Sequence, residues 1–482
     1  MVSNIKKNYI YNLTYQILLV ITPFITTPYV SRVLQADGVG MNSYISAIVS
    51  YFVLLGGLGT ATYGQRELSY LQNDRKTRSR VFWEIQSMTL LLYSMCIIVY
   101  FLFVFKWEQS NILFIIASLQ ILSSAFDIVW LFSALEEFRI VVLRNIFLKI
   151  LSIVGVFWFV KTSNDLWLFM LINNGISFLG SISLWPTLKK YVDMPRFIEL
   201  KPFSHLKGTL ELFIPTIAIQ IYVNVDKIMI GYLAGETTEN GYYDQAQRIE
   251  SMCLLMVTSL GTVLIPRIGA CYKNNDEEGI KKIIYNSFRF AWMVSVPACL
   301  GIIVMADYFV PWFFGEGYHQ VIYLLYIVSW IIIVIGMSNV IGTQYLIPTK
   351  QQKPYTKSVF LGMAVNIIFN ILLIPKYLAI GAAIATLISE LVVTTYQFYI
   401  VKEFFCLRRV WKESIHYWVA GIVMFVTVFF VKAHLGIGTS AILVCVGSGA
   451  LVYVIALLGM KDSFFIDILG SVKNWSKTKE KK

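Results

Sequence analysis

The sequence predicts an all-α integral membrane protein of about fourteen transmembrane helices, arranged as two six-helix lobes in parallel pseudo-twofold repeat plus two C-terminal helices. Three observations predict it. Hydrophobic residues make up 57% of the 482 residues and charged residues 14%. A soluble domain carries about 25% charged residues, so this chain could not cover its surface in water and the bilayer must be its main solvent. Apolar stretches of spanning length recur along the whole chain, and basic residues fall in every second gap between them. A cytosolic enzyme, a disordered chain and a disulfide scaffold are excluded.

A spanning helix needs about 20 mainly apolar residues. The stretches that qualify are 8–30, 41–63, 83–105, 111–135, 144–161, 167–186 and 209–233, then 247–268, 284–306, 321–346, 356–375, 377–400, 414–432 and 439–459. An even number places both termini on one side. With that side cytoplasmic, 33 of the 40 Lys and Arg lie on the inner side, Arg139, Arg144 and Lys149 of the stretch 136–149 among them. The seven others are Arg32, Lys106, Lys161, Lys227, Arg248, Lys376 and Lys432. Such an asymmetry orients the chain with both termini cytoplasmic. The excess of 40 basic over 28 acidic residues therefore reflects a membrane topology, and no nucleic-acid motif accompanies it.

The outer loops are expected to be short, the longest being Ala234 to Ala246 and Asp307 to Gln320. Pro23 and Pro28 are expected to break segment one. Pro215 and Pro297 lie in segments seven and nine, and broken helices line substrate paths in transporters. Among the six cysteines, Cys271 and Cys406 fall in cytoplasmic basic loops and the rest in apolar stretches. None has metal-site or CxxC spacing. No metal and no cofactor is expected, and the first apolar segment is read as retained.

The chain contains itself twice. Leu34 to Gly40 after segment one corresponds to Leu233 to Gly241 after segment seven, and Leu58-Gly59-Thr60 to Leu260-Gly261-Thr262. Asp74 and Asp276 then each open a basic amphipathic stretch. Six helices separate equivalent points, so the halves share one orientation. The expected division is a lobe over 1–208, a second over 209–400, and two extra helices with a basic cytoplasmic tail over 401–482. Two like lobes around an axis enclose a cleft, and rocking them opens it to each side in turn.

Charged and polar side chains inside spanning segments are the candidate site. A mid-bilayer charge costs about 2.5–3.5 kcal/mol on insertion scales. Glu390 is the deepest, in segment twelve, and Asp127 lies in segment four within range of Arg139 or Arg144 as a structural bridge. Asp226 and Lys227 adjoin in segment seven. Arg248 and Glu250 lie at the outer end of segment eight and Arg32 at that of segment one, where reaching the headgroups is the rival explanation. Gln220, Asn224 and Lys227 form a polar stripe on segment seven, and Asn12 and Tyr15 lie on a similar face of segment one. Hydrogen bonding between helices would also explain such stripes. Arg32, Lys227 and Arg248, with Asn12, Tyr15, Gln220 and Asn224, are the expected substrate-binding set. Glu390, Asp127, Asp226 and Glu250 are the expected ion-coupling or gating set.

Asn8-Tyr-Ile-Tyr-Asn12, Pro28-Tyr-Val-Ser-Arg32-Val-Leu, Gly38-Val-Gly40 and Tyr63-Gly-Gln-Arg66-Glu67 resemble bacterial polysaccharide-repeat-unit flippases. So do Asn224-Val-Asp226-Lys227-Ile-Met-Ile-Gly231 and Gly241-Tyr242-Tyr243. That family is the Wzx-type branch of the multidrug/oligosaccharidyl-lipid/polysaccharide exporter superfamily. The resemblance covers essentially the whole chain. It implies a 12+2 helix fold in the bacterial plasma membrane and movement of an undecaprenyl-diphosphate-linked oligosaccharide to the outer leaflet. The implied partners are that lipid-linked substrate, membrane lipids, and a polysaccharide polymerase with its chain-length machinery. A diphosphate needs cations and sugars need amides and aromatic faces, which the set above supplies. A lipid II flippase and a drug or metabolite cation antiporter of the same superfamily share the fold. An enzyme, such as a membrane polymerase or glycosyltransferase, would need a large outer loop with catalytic acids, and no Walker A sequence occurs.

Overall fold

The computed structural model describes residues 2–106, 111–194 and 200–470, except the side chains of 2–20, 111, 212, 214–216, 218, 219, 262 and 263. Fifteen α-helices and no strand occur among the described residues. Eleven helices are long and apolar enough to cross a membrane. Two of these contain a non-helical residue where two segments were expected to meet. α1 (Val2–Gly57) breaks at Gln35 (φ 58°, ψ −179°), between segments one and two. α13 (Gln352–Val401) breaks at Leu378 (φ 53°, ψ −132°), between segments eleven and twelve. A 50-residue helix is about 75 Å long, far more than one hydrocarbon core of about 30 Å.

Pro23 and Pro28 do not break segment one. The helix runs through both, and the left-handed residue is Gln35. Near a helix start or among packed neighbours the freed carbonyl finds other partners. Pro297 likewise sits inside the uninterrupted α11 (Glu277–Phe313). Segment four, expected to be continuous over 111–135, is interrupted instead. α4 (Asn111–Ala125) and α5 (Val129–Ala134) are separate helices, with Asp127 between them. The expected outer loops are mostly helix: α10 (Thr237–Lys273) starts ten residues before segment eight was expected to, and α11 ends at Phe313. Polar residues in an extended helix lower its mean hydropathy without breaking its backbone bonds.

The chain divides into two compact units, Met1–Gly241 and Tyr242–Lys482. In the first, α1 packs against α3 (Arg75–Val104), α4, α6 (Phe138–Phe159) and α9 (Leu206–Leu233). Tyrosine hydroxyls lace these helices to one another's carbonyls: Tyr29 to Val160 (2.6 Å), Tyr51 to Ile221 (3.0 Å), Tyr93 to Val53 (3.1 Å) and Tyr100 to Phe114 (2.6 Å). Each tyrosine buries its ring and satisfies its polar tip. At one end of α3, after the short α2 (Thr60–Ser69), Glu84 gathers the chain leading into α9. Its carboxylate accepts from Arg80 Nε (3.0 Å) and the Lys201 amide (3.1 Å) and pairs with His205 Nε2 (3.0 Å). His205 Nδ1 in turn meets the Tyr63 hydroxyl at 3.1 Å.

Gly40 and Gly241 mark the closest backbone approach in this unit. A Cβ on Gly40 would overlap the Thr237 carbonyl, and one on Gly241 the Ala36 carbonyl. Thr237 Oγ1 donates to Asp37 Oδ1 beside them. Small residues let helix backbones meet in this way.

The second unit has one continuous apolar core across α10 to α15. In it α12 (His319–Asn339) continues as a π-helical stretch, Val340–Leu346. α14 (Leu407–Ala433) and α15 (Thr439–Gly459) belong to this core. α14 is pinned to α11 at both ends: Arg289 pairs bidentately with Glu413 (2.9 and 3.0 Å), and Lys432 Nζ with Asp307 (2.8 Å). Outward faces stay apolar, with Met95, Ile98 and Leu102 on α3 and Val419, Ile422 and Val426 on α14 exposed. A surface of that kind is solvated by lipid.

Candidate functional site

α6 is the shortest route to a site. It has 22 residues, about 33 Å at 1.5 Å per residue, so it just spans a hydrocarbon core. Arg144 is its seventh residue and Lys149 its twelfth, at the midpoint. Both were counted with the inner stretch 136–149, and the helix that carries them begins at Phe138, six residues before segment five was expected to. The Ile140-Val-Val-Leu143 run just before Arg144 is the signal that could have found this. A cation at such depth is costly enough that it normally faces protein or water.

Both cations line a cavity of about 470 Å³ between α4, α6 and α7 (Leu166–Ser183). α4 and the residues after it contribute Gln120, Ser123, Ser124 and Asp127. α6 contributes Arg144, Asn145, Lys149 and Ser152, and α7 contributes Asn173, Ser177 and Ser181. Only Leu148 and Ile176 add aliphatic side chains. Hydrogen bonds hold the walls. Ser123 Oγ lies 3.1 Å from Ser177 Oγ and 3.0 Å from Ser181 Oγ, joining α4 to α7. Ser152 donates to Asn173 Oδ1 at 2.8 Å, joining α6 to α7. The Arg144 guanidinium donates to Asn145 Oδ1 (2.6 Å) and to the Gly180 carbonyl (2.9 Å). Asp127 is exposed, and its Oδ1 accepts from the Val129 amide at 2.9 Å. It thus starts α5 after the break as well as facing the cavity.

The other expected residues fall elsewhere. In the first unit, Arg32 is exposed, three residues before the Gln35 break, and donates to the Pro28 carbonyl at 3.3 Å. On α9, Gln220 is exposed, and Asn224 and Lys227 are half-buried. Asn224 donates to the Gln220 carbonyl (3.2 Å), and the Lys227 carbonyl accepts from Asn240 (2.6 Å). Asp226 points away from that stripe and is 2% exposed. Asn12 and Tyr15 lie outside the described side chains. In the second unit, Arg248 sits inside α10 and pairs with Asp244 one turn back (Nε to Oδ2 2.7 Å). Glu250 is buried on the same helix. Glu390, 7% exposed, is buried on the second half of α13, on a face with Thr386, Thr394 and Gln397.

A sequence profile described as polysaccharide biosynthesis protein matches residues 5–272, more than half of the chain. The chain belongs to that family. A second profile, described as MatE, matches residues 212–372. A putative O-antigen transporter of Shigella dysenteriae is 22% identical over 384 residues, covering 79% of this chain and 96% of that protein. Among solved structures, an inward closed conformation of the lipid II flippase MurJ superposes with a TM-score of 0.74 at 18% identity, covering 96% of this chain and 99% of the other. An inward-facing multidrug resistance MATE transporter superposes with a TM-score of 0.61 at 13% identity, covering 82% and 98%. This member of the polysaccharide biosynthesis family thus has the multi-pass helical fold shared by those transporters.

Proposed function

We propose that the protein flips undecaprenyl-diphosphate-linked oligosaccharide repeat units from the inner to the outer leaflet of a bacterial plasma membrane. The observation that carries this is a polysaccharide-biosynthesis chain that lines a polar cavity with the half-buried Arg144 and Lys149 of a helix of spanning length. Such a cavity suits a substrate that is anionic and rich in hydroxyls. A lipophilic cation, as an antiporter of drugs would carry, is better served by apolar walls and an excess of carboxylates.

The topology in this reading is fourteen crossings with both termini cytoplasmic, and the repeat divides the chain into 1–208, 209–400 and 401–482. Asp74 and Asp276 support the repeat, since each caps the start of an equivalent helix. Asp74 Oδ1 accepts from the Thr77 amide (3.1 Å) at α3, and Asp276 Oδ1 from the Gly279 amide (2.8 Å) at α11. Substrate is taken up in a central cleft that opens to each side in turn. Arg32, Lys227, Asn224, Gln220, Asn12 and Tyr15 contribute to its binding. Arg248 does so only after parting from Asp244. Glu390, Asp226, Glu250 and Asp127 serve ion coupling or gating. A polymerase and its chain-length machinery take over the flipped unit.

The test is complementation. In strains lacking a defined repeat-unit flippase, expression should restore surface polysaccharide. Restored growth of a strain depleted of its lipid II flippase, without rescue of any polysaccharide, would assign the other lipid-linked substrate. Cys271 and Cys406 should stay unlabelled by an impermeant thiol reagent in intact cells, and labelling of either reverses the topology.

A further inference from the structure

We propose that the cavity between α4, α6 and α7 seats the phosphate-bearing headgroup of the lipid-linked sugar, with Arg144 and Lys149 as its phosphate ligands. The proposal rests on the flippase reading above and adds a second group of cations to those which that reading assigns to the substrate.

Depth is the first support. Arg144 and Lys149 are the seventh and twelfth residues of a 22-residue helix of spanning length, and cations so placed normally face protein or a water-filled cavity. Both side chains line the same cavity, one and a half turns apart. Charge is the second. The lining holds two cations and one carboxylate, Asp127, so it attracts an anion. Shape and chemistry are the third. The guanidinium is held by Asn145 through Nε and Nη2 and by the Gly180 carbonyl through Nη1, which fixes its plane in the cavity wall, where it can meet phosphate oxygens. Lys149 adds a second, point-like charge to the same lining. Asn173 and Ser177 then face the first sugar. A volume near 470 Å³ lies in the range of small-ligand sites, about 300–1,000 Å³, and leaves the lipid tail outside.

Anionic phospholipid headgroups share this chemistry, so the experiment separates the two sources. The full chain is purified into phosphatidylcholine nanodiscs and titrated with undecaprenyl diphosphate, undecaprenyl monophosphate and phosphatidylglycerol. Wild-type protein should bind the diphosphate at least tenfold more tightly than phosphatidylglycerol. Arg144→Gln and Lys149→Gln should each weaken diphosphate binding about tenfold or more. Equal affinity for the diphosphate and phosphatidylglycerol, or diphosphate binding unchanged in the double Gln variant, overturns the proposal. If a Gln variant fails to yield monodisperse protein, Arg144→Lys carries the test. It keeps the charge and loses the fork, so a severalfold loss supports the assignment and unchanged affinity overturns it.

Complementation keeps the two readings apart. Full polysaccharide from the double Gln variant overturns the site and leaves the flippase reading standing. Failure of wild-type protein to restore any polysaccharide, with diphosphate binding still dependent on Arg144, overturns the flippase reading and leaves the site.

Discussion

Leu-Gly-Thr occurs at 58–60 and again at 260–262, and the two copies fold differently. In the first, α1 ends at Gly57, Leu58 and Gly59 take left-handed backbone (φ 40° and 75°), and α2 starts at Thr60. In the second, α10 runs without interruption from Thr237 to Lys273. The neighbours differ. Gly59 is approached by the Thr209 carbonyl and the Phe213 backbone of α9, 3.3 and 3.5 Å from where a Cβ would lie. For Gly261 the nearest atoms to such a Cβ are side-chain ones, Gln344 Nε2 at 3.2 Å and Cγ at 3.3 Å and Asn339 Oδ1 at 3.4 Å. Asp74 and Asp276, each sixteen residues past the start of its tripeptide, do the same thing in both copies. A cap needs only its own next turn, whereas a chain reversal needs something to turn against.

That contrast can be broken or sharpened, and the largest effect is expected where Gly40 and Gly241 let two backbones meet. Gly40→Ala and Gly241→Ala each drive a methyl group into a backbone carbonyl, so the helices must part. Each should cost about 1–3 kcal/mol, the usual range for overpacking, and should cut surface polysaccharide severalfold at equal protein level. Full activity in either would show that the contact is dispensable.

Next come the two deep carboxylates. Glu390 is buried within the second half of α13, twelve residues past its break, and Asp127 is exposed at the break between α4 and α5. Glu390→Gln should keep expression and slow transport, Glu390→Asp should be milder, and Asp127→Asn should be milder still. Normal transport by Glu390→Gln removes it from the mechanism.

The tripeptides themselves should respond with opposite sign. Gly59→Ala forces a Cβ into left-handed backbone and should destabilise by about 1–2 kcal/mol. Gly261→Ala gains about 1 kcal/mol of helix propensity, offset by the displacement of Gln344. Thermal midpoints in detergent should therefore fall clearly for the first and little for the second. Equal losses would deny that the backbone differs.

The smallest effects belong to the caps. Asp74→Ala and Asp276→Ala should lower the midpoint slightly and by similar amounts. The Thr77 hydrogen bond holds the Asp74 carboxyl below its ordinary value. Its contribution is thus complete at neutral pH and is lost as pH falls through that lowered value. A cap effect that persists in acid would rule out the carboxylate as its source.

Some of this was legible in the residues. Composition and spacing determine that the chain is helical and lives in lipid, because a helix of about 20 apolar residues satisfies its own backbone and needs no partner to be identified. The junctions near Gln35 and Leu378 were legible because polar and proline residues interrupt the apolar run there. Tertiary structure decided what hydropathy cannot see. Pro23 and Pro28 stay helical, α10 starts at Thr237, and segment four parts at Asp127. Each outcome depends on which neighbour accepts or donates the backbone bond. The cavity was hidden for the same reason. Arg144 and Lys149 fell where the basic inner stretch 136–149 overlaps the start of segment five at 144, and α6 begins six residues earlier. Only the packing of α6 against Ser123, Asn173 and Ser177 from α4 and α7 supplies the polar surroundings that let two charges enter the membrane.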